Sequence, residues 1–173
     1  MSSPADQSVS PPEVLIRLVR PAEYAQVADL TAGVYVDEGY AEGGYVHVLR
    51  DVASRARTAD VLVAVRGPGG PVVGAVTLAY GGRDYAEQAV QGETVVRMLV
   101  VDPRTRGAGL GEALMQACLD RARAAGCSRV LLSTQASMRA AHRIYARLGF
   151  RREPANDWSP EPGVELLGYV LTL

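Results

Sequence analysis

The 173-residue chain is poor in the residues that most often carry metal or redox chemistry, with two cysteines and two histidines. Cys118 and Cys127 lack metal-ligand spacing and form no disulfide framework, so both are read as packing residues. His47 and His142 have no partner in sequence and are expected at the surface or behind a site, not as catalysts. No metal is expected. Charge of one sign is lacking too. Eighteen basic and nineteen acidic side chains leave a net charge of −1, which gives no reason to invoke nucleic acid or an anionic membrane. No apolar run approaches the about 20 residues that span a bilayer. Residues 1–12 are rich in Ser and Pro, without a basic stretch followed by an apolar core. They are read as a disordered tail, not a signal peptide, ahead of a single domain over 13–173 expected to work in the cytoplasm. Internal repeats and domain-splitting linkers are absent.

What remains is an ordinary globular composition, 48% hydrophobic and 21% charged, and one unusual stretch. Arg106-Gly107-Ala108-Gly109-Leu110-Gly111 lies between an apolar run, Val95 to Val101, and a helical pattern. Amides left unpaired at a helix start point outward, and the helix dipole adds partial positive charge there. Glycines remove the Cβ atoms that would hold a diphosphate away from those amides, and Arg104 and Arg106 add full charges. A tight strand-to-helix turn would need glycine as well, but the arginines and the preceding strand favour an anion site. A P-loop would require Lys and Ser/Thr after the last glycine, where Glu112-Ala113 stand. A dinucleotide fingerprint would require its third glycine where Glu112 falls.

The spacing is Arg-x-x-Gly-x-Gly over Arg106, Gly109 and Gly111. With it the sequence resembles the GNAT superfamily of N-acetyltransferases, whose acetyl-CoA pyrophosphate loop has that pattern. Ala141-His142-Arg143-Ile144-Tyr145-Ala146-Arg147-Leu148-Gly149-Phe150 resembles the second hallmark of that superfamily, a helix and turn with a tyrosine near the thioester. The likeness covers roughly Val14 to Leu173, strongest from Val95 to Phe150.

Periodicity supplies the elements. Val14–Val19 reads as a strand, and Pro21 opens a helix through Tyr24, Val27, Ala28, Leu30 and Val34. Gly33, Gly39, Gly43 and Gly44 are expected to break that helix into a loop carrying Tyr35, Asp37, Glu38 and Tyr40. A second helix is expected over Tyr45–Arg57. Val61–Arg66 and Val72–Tyr80 form a hairpin about Gly67–Pro71, and Gly81–Gly92 is a loop. Thr94–Val101 is a strand, Gly109–Ala125 a helix ended by Gly126, and Arg129–Thr134 a strand. A helix capped by Ser137 or a neighbour runs to Leu148, a strand starts at Phe150–Arg152, and Val164–Leu173 is the last. The order β-α-α-β-β-β-α-β-α-β-β implies an α/β layer architecture. It matches the order of elements in the superfamily, a mixed, mostly antiparallel central sheet flanked by helices.

The resemblance implies acetyl transfer from acetyl-CoA, as co-substrate, directly to an amine. The cofactor-binding residues it implies are Arg106, Gly107, Ala108, Gly109, Leu110 and Gly111 for the diphosphate. Main-chain groups of Met98, Leu99, Val100 and Val101 would pair with the pantetheine arm as an added strand. Met138 stands where many relatives carry asparagine, so Ser137, Thr134 or Gln135 would substitute. Tyr145 shares a helical stripe with Ala141, Ile144 and Leu148 and is either a core tyrosine or the general acid for the departing thiolate. Glu93 is the nearest match to the carboxylate that some relatives use as base, although a solvated strand-edge charge is the reading its position favours. Glu38, Asp37, Glu87 and Asp157 are alternatives. Arg97, a charge inside an apolar strand, either binds a substrate carboxylate or pairs internally. Tyr40 lies in a loop expected to shape the acceptor pocket. Trp158 either walls that pocket or staples its loop to the core. The acceptor would be a small-molecule or peptide amine. Alternatives are a non-catalytic acyl-CoA-binding module on the same fold, or an O-acyl or longer-acyl transferase. A homodimer is compatible with the apolar last strand.

Overall fold

The computed structural model describes residues 13–173; the tail expected over 1–12 lies outside the described residues. A first strand, β1 (Val14–Leu18), leads into a 3-10 turn at Pro21–Glu23, where the fixed proline φ suits helix entry. Helix α1 (Tyr24–Asp37) follows. It runs straight through Gly33, contrary to expectation. The flanking Ala32 and Val34 are buried, and that packing outweighs the roughly 1 kcal/mol that an interior glycine costs.

The single helix expected over Tyr45–Arg57 is two, α2 (Tyr45–Arg50) and α3 (Val52–Thr58). Asp51 stands between them at φ −81°, ψ 66°, and its carboxylate accepts from the Ser54 amide to cap α3. An aspartate satisfies a helix start better than a helix interior, so it restarts the helix.

Strands β2 (Ala59–Arg66) and β3 (Val72–Tyr80) form the expected hairpin, and β4 (Glu93–Val101) pairs antiparallel with β3. Then come α4 (Leu110–Ala124), β5 (Arg129–Thr134) and α5 (Arg139–Leu148). The α5 start has Met138 as its flanking residue with no side-chain cap, so Ser137 does not cap it. The chain ends with β6 (Arg151–Arg152), β7 (Trp158–Glu161) and β8 (Val164–Thr172). β7 was expected to be part of a loop. It pairs with β8 through Trp158 opposite Leu166 and Glu161 opposite Val164.

The strand order is β1-β2-β3-β4-β5-β8-β6, with β7 also on β8. Every pairing is antiparallel except β4 with β5. The period of two divides β2 between two cores. Leu62 and Ala64 pack with Leu114, Met115, Cys118 and Leu119 of α4 on one face. Val61, Val63 and Val65 pack with Val27, Ala28 and Val34 of α1 and Val52 of α3 on the other. Each such Val, Leu or Met contributes about 1.5–3 kcal/mol by leaving water. Helices on both faces thus hold the central strands rigidly, and the site is built on β4. No helix among the described residues is long and apolar enough to cross a membrane.

Candidate active site

The parallel pair β4–β5 is short. It runs from Glu93 opposite Arg129 to Val96 opposite Leu132 and stops. Beyond it, Ser133 and Thr134 continue on β8, opposite Gly168 and Leu167, while β4 continues to Val101. The two strands therefore part after Val96, and the Arg97–Val101 edge of β4 faces a gap.

A bulge marks the parting. The register against β3 passes from Thr77 opposite Arg97 to Ala75 opposite Val100, so Met98 and Leu99 together span Val76. Met98 takes φ 56°, in the left-handed region. For a non-glycine residue this costs of order 1–3 kcal/mol. Burial of its side chain against Ala32 and Leu49 offsets that cost. Bulges re-aim main-chain groups, and this one falls on the part of β4 that has no pairing partner on the β5 side.

At the end of β4, Asp102 accepts from the Arg104 amide and turns the chain through a 3-10 segment, Pro103–Thr105. Gly107 (φ 86°) and Gly109 (φ 75°) then supply conformations that L residues resist. Gly109 precedes α4 without any side-chain cap, so the first-turn amides of α4 keep no partner within the helix.

Gap and glycine turn are continuous in a cleft of about 810 Å³. Met98, Leu99, Val100 and Val101 line it, as do Arg106, Gly107, Gly109, Leu110 and Gly111; Ala108 does not. Thr134, Tyr145, Arg97, Tyr40 and Trp158 also line it. Residues far apart in sequence are thus brought to one surface.

Glu93 is not among them. The parallel register sets Arg129 directly opposite, and the Arg129 guanidinium grips the buried Glu93 carboxylate while the Val90 amide donates to it. Glu93 belongs to that ion pair, outside the cleft, and is withdrawn as a candidate base. Among the alternatives, Asp157 is held by Arg152 and by the Gly168 amide. Glu87 lies 3.5 Å from Arg97 and is mostly in solvent. Three carboxylates line the cleft, Glu38, Glu112 and Glu161. Glu38 pairs with Arg106 and Glu112 with Arg147. Glu161 has no ion pair among the described residues. Glu161 shares its stretch of sequence with Asp157, and no local pattern sets it apart from the other loop acids; only the pairing of β7 with β8 and the cleft lining do.

Tyr145 is buried, and its ring packs against Phe150 at 5.8 Å and Tyr169 at 6.3 Å between centroids. Burial alone pushes its phenol above the ordinary tyrosine range. It is therefore an acid or a hydrogen-bond donor at neutral pH, not a base. Thr134 Oγ1 lies 3.2 Å from His142 Nε2, which lies 3.1 Å from the Gln135 carbonyl oxygen. The tautomer with its proton on Nε2 satisfies that carbonyl. The Gln135 side chain in turn donates to the Tyr40 carbonyl at 3.0 Å, tying β5 to the loop after α1. Desolvation first, and the nearby Glu38 carboxylate second, raise the Tyr40 phenol. Trp158 both lines the cleft and is stapled, its indole donating to Ser133 Oγ at 3.1 Å. Cys118 is buried in the core, its thiol pushed up to about 12 by desolvation, and neither cysteine lines the cleft.

This is the fold of solved acetyltransferases. The structure of a GNAT-family acetyltransferase from Staphylococcus aureus Mu50 superposes with a TM-score of 0.74 at 14% identity, over 92% of this chain and 99% of that one. A GNAT-family acetyltransferase from Brucella melitensis, solved in complex with acetyl-CoA, gives 0.62 at 23% identity, over 80% and 83%. The family model for the acetyltransferase (GNAT) family matches residues 26–150, and the chain belongs to that family. Among curated relatives, the mycothiol acetyltransferase of Saccharopolyspora erythraea is 46% identical over 57 residues, 33% of this chain. The human N-acetylaspartate synthetase is 39% identical over 83 residues, 47% of this chain. The glucosamine 6-phosphate N-acetyltransferase of Trypanosoma brucei brucei is 33% identical over 112 residues, 60% of this chain. The matches span 19%, 28% and 68% of those relatives' own lengths.

Proposed function

We propose that the protein is an acetyl-CoA-dependent N-acetyltransferase that passes the acetyl group directly to a small amine. The observation that carries this reading is the continuity of three features in one cleft. An open β4 edge leads to a capless, glycine-turned helix start, and a buried phenol stands beside both. The first-turn amides of α4 with Arg106 suit a diphosphate. The free main-chain groups of Met98–Val101 suit an extended arm carrying amides, which would add to β4 as a further strand. Acetyl-CoA would supply an activated acyl carbon.

In the transfer, the amine nitrogen bonds to the acyl carbon and the carbon–sulfur bond breaks. Tyr145 gives its proton to the leaving sulfur. Amides re-aimed by the Met98 bulge stabilise the oxyanion. Glu161, free of an arginine partner, is the group to test as the proton relay from the amine. Direct transfer is supported by the burial of Cys118 away from the cleft, which leaves no thiol there to take the acyl group. The names of the human and Trypanosoma brucei brucei relatives specify N-acetylation for those proteins, which supports the acceptor class here.

Titration calorimetry with acetyl-CoA, CoA and ATP tests the reading first. Binding of both CoA species without ATP, followed by thiol release with an amine present, is the expected result. Failure to bind either CoA species would remove the cradle at Arg106–Gly111 and the enzyme reading with it.

A further inference from the structure

One arginine of the cleft is held only loosely. Arg97 leaves β4 where the strand parts from β5 and lines the cleft with its side chain 21% exposed. Its partners are distant: the Glu87 carboxylate at 3.5 Å, the Tyr85 carbonyl at 3.3 Å and the Tyr45 hydroxyl at 3.5 Å. Hydrogen bonds of this kind ordinarily fall near 2.7–3.2 Å, and Glu87 is 76% exposed, with its charge largely screened by water. The contrast inside the same molecule is plain. Arg17 reaches Glu23 at 2.6 Å, Arg121 reaches Asp60 at 2.8 Å, and Arg152 grips both oxygens of Asp157.

A second guanidinium, that of Arg55, is also incompletely paired. Arg55 of α3 is 1% exposed, its Nη1 donates to the Val48 carbonyl at 2.6 Å, and its Nε has no hydrogen-bond partner. It has no ion pair among the described residues. Burial holds its guanidinium below the usual arginine range, and the nearby Arg97 charge adds to the effect against the influence of Tyr85 and Tyr45. Asp51, the closest acid on its own side, is exposed and committed to the Ser54 amide. The acid that meets Arg97 is the solvated Glu87, while Glu161, which lines the same cleft, makes no ion-pair contact with it among the described residues. A buried charge without a partner is costly, and the cost falls when an anion arrives.

Resting on the acetyl-transfer reading, we infer that the acceptor is an amine that also carries a carboxylate, with Arg97 as the residue that selects it. The planar fork of Arg97 matches the two oxygens of a carboxylate, and the loosely held Glu87 is displaced by it. Arg55 does not line the cleft.

The test compares acetyl transfer to amino acids with transfer to their carboxamides and methyl esters, and to phosphorylated amines, using the full-length protein. The acid should exceed its amide and ester in kcat/KM by roughly 10- to 100-fold, mostly through KM, as expected for a charged hydrogen bond lost. In Arg97→Gln the preference should shrink to within about threefold, and in Arg97→Lys it should be intermediate, since the charge stays and the fork is lost. The wild-type comparison needs no variant, so a misfolded Arg97→Gln would not shelter the idea. Equal use of acid and amide, or a preference for phosphorylated amines over acids, overturns the carboxylate assignment alone. Acetyl transfer to no amine overturns the acyltransferase reading and this inference together.

Discussion

The guanidinium of Arg106 at the glycine turn is held by the carboxylate of Glu38 at the end of α1, 68 residues earlier in the chain. Both side chains line the cleft. The cation proposed to meet a diphosphate thus already has an anion, which under that proposal the diphosphate displaces. Glu38→Gln should therefore tighten CoA binding by about three- to fivefold, the scale of a partly exposed ion pair. Arg106→Ala should weaken it by roughly 10- to 100-fold. Calorimetry on the two variants separates competition from positioning: weaker binding by Glu38→Gln would mean that Glu38 orients Arg106 for the ligand.

Tyr145→Phe removes one hydroxyl from a packed ring and leaves the Phe150 and Tyr169 contacts in place. If the phenol protonates the leaving sulfur, kcat should fall roughly 10²- to 10⁴-fold, with little change in the KM for acetyl-CoA. Because burial raises this phenol, it stays protonated throughout the neutral range. The wild-type kcat profile should show no alkaline decline from it below about pH 10. A Tyr145→Phe enzyme with near-normal kcat would assign the residue to packing.

The two cysteines should differ in reactivity. The Cys118 thiol is buried on the core face of α4 and pushed up to about 12, whereas Cys127 is partly exposed with a smaller upward shift from desolvation. Thiolate is the reacting form, so alkylation in native conditions should add one group, at Cys127. Mass spectrometry should find the second only in denaturant.

Acid should destabilise the fold. Glu23 is held below the usual carboxylate range by Arg17, Asp102 by Arg104, Asp157 by Arg152 and Asp51 by the Ser54 side chain and amide. A lowered native pKa means that the unfolded chain binds protons first as pH falls. The stabilisation is complete above the unfolded value near 4 and is lost below it, as pH descends through the native values. The melting temperature should be level from pH 6 to 8 with respect to these groups and decline below about pH 4. Asp157→Asn should make that decline shallower.

How much of this was legible in advance follows from the range of each interaction. Strand periodicity, the Gly67–Pro71 hairpin, the glycine turn after β4 and the inward stripe of Tyr145 are local properties. Each rests on φ/ψ limits or side-chain spacing within a few residues, and these the sequence by itself determined. The halt of α2 at Asp51 and the passage of α1 through Gly33 went the other way, because capping and tertiary packing outweighed helix propensity. Which acid each arginine meets was decided only by the tertiary structure. Glu93 meets Arg129 across a parallel register set by residues 36 apart, Arg106 meets Glu38, and Arg97 is left loosely held. The cleft itself belongs to the same level. It exists because β4 and β5 stop pairing after Val96 while β5 continues on β8. Sequence neighbours dictate backbone conformation, but the pairing of distant strands chooses which edges stay open and which charges stay uncompensated.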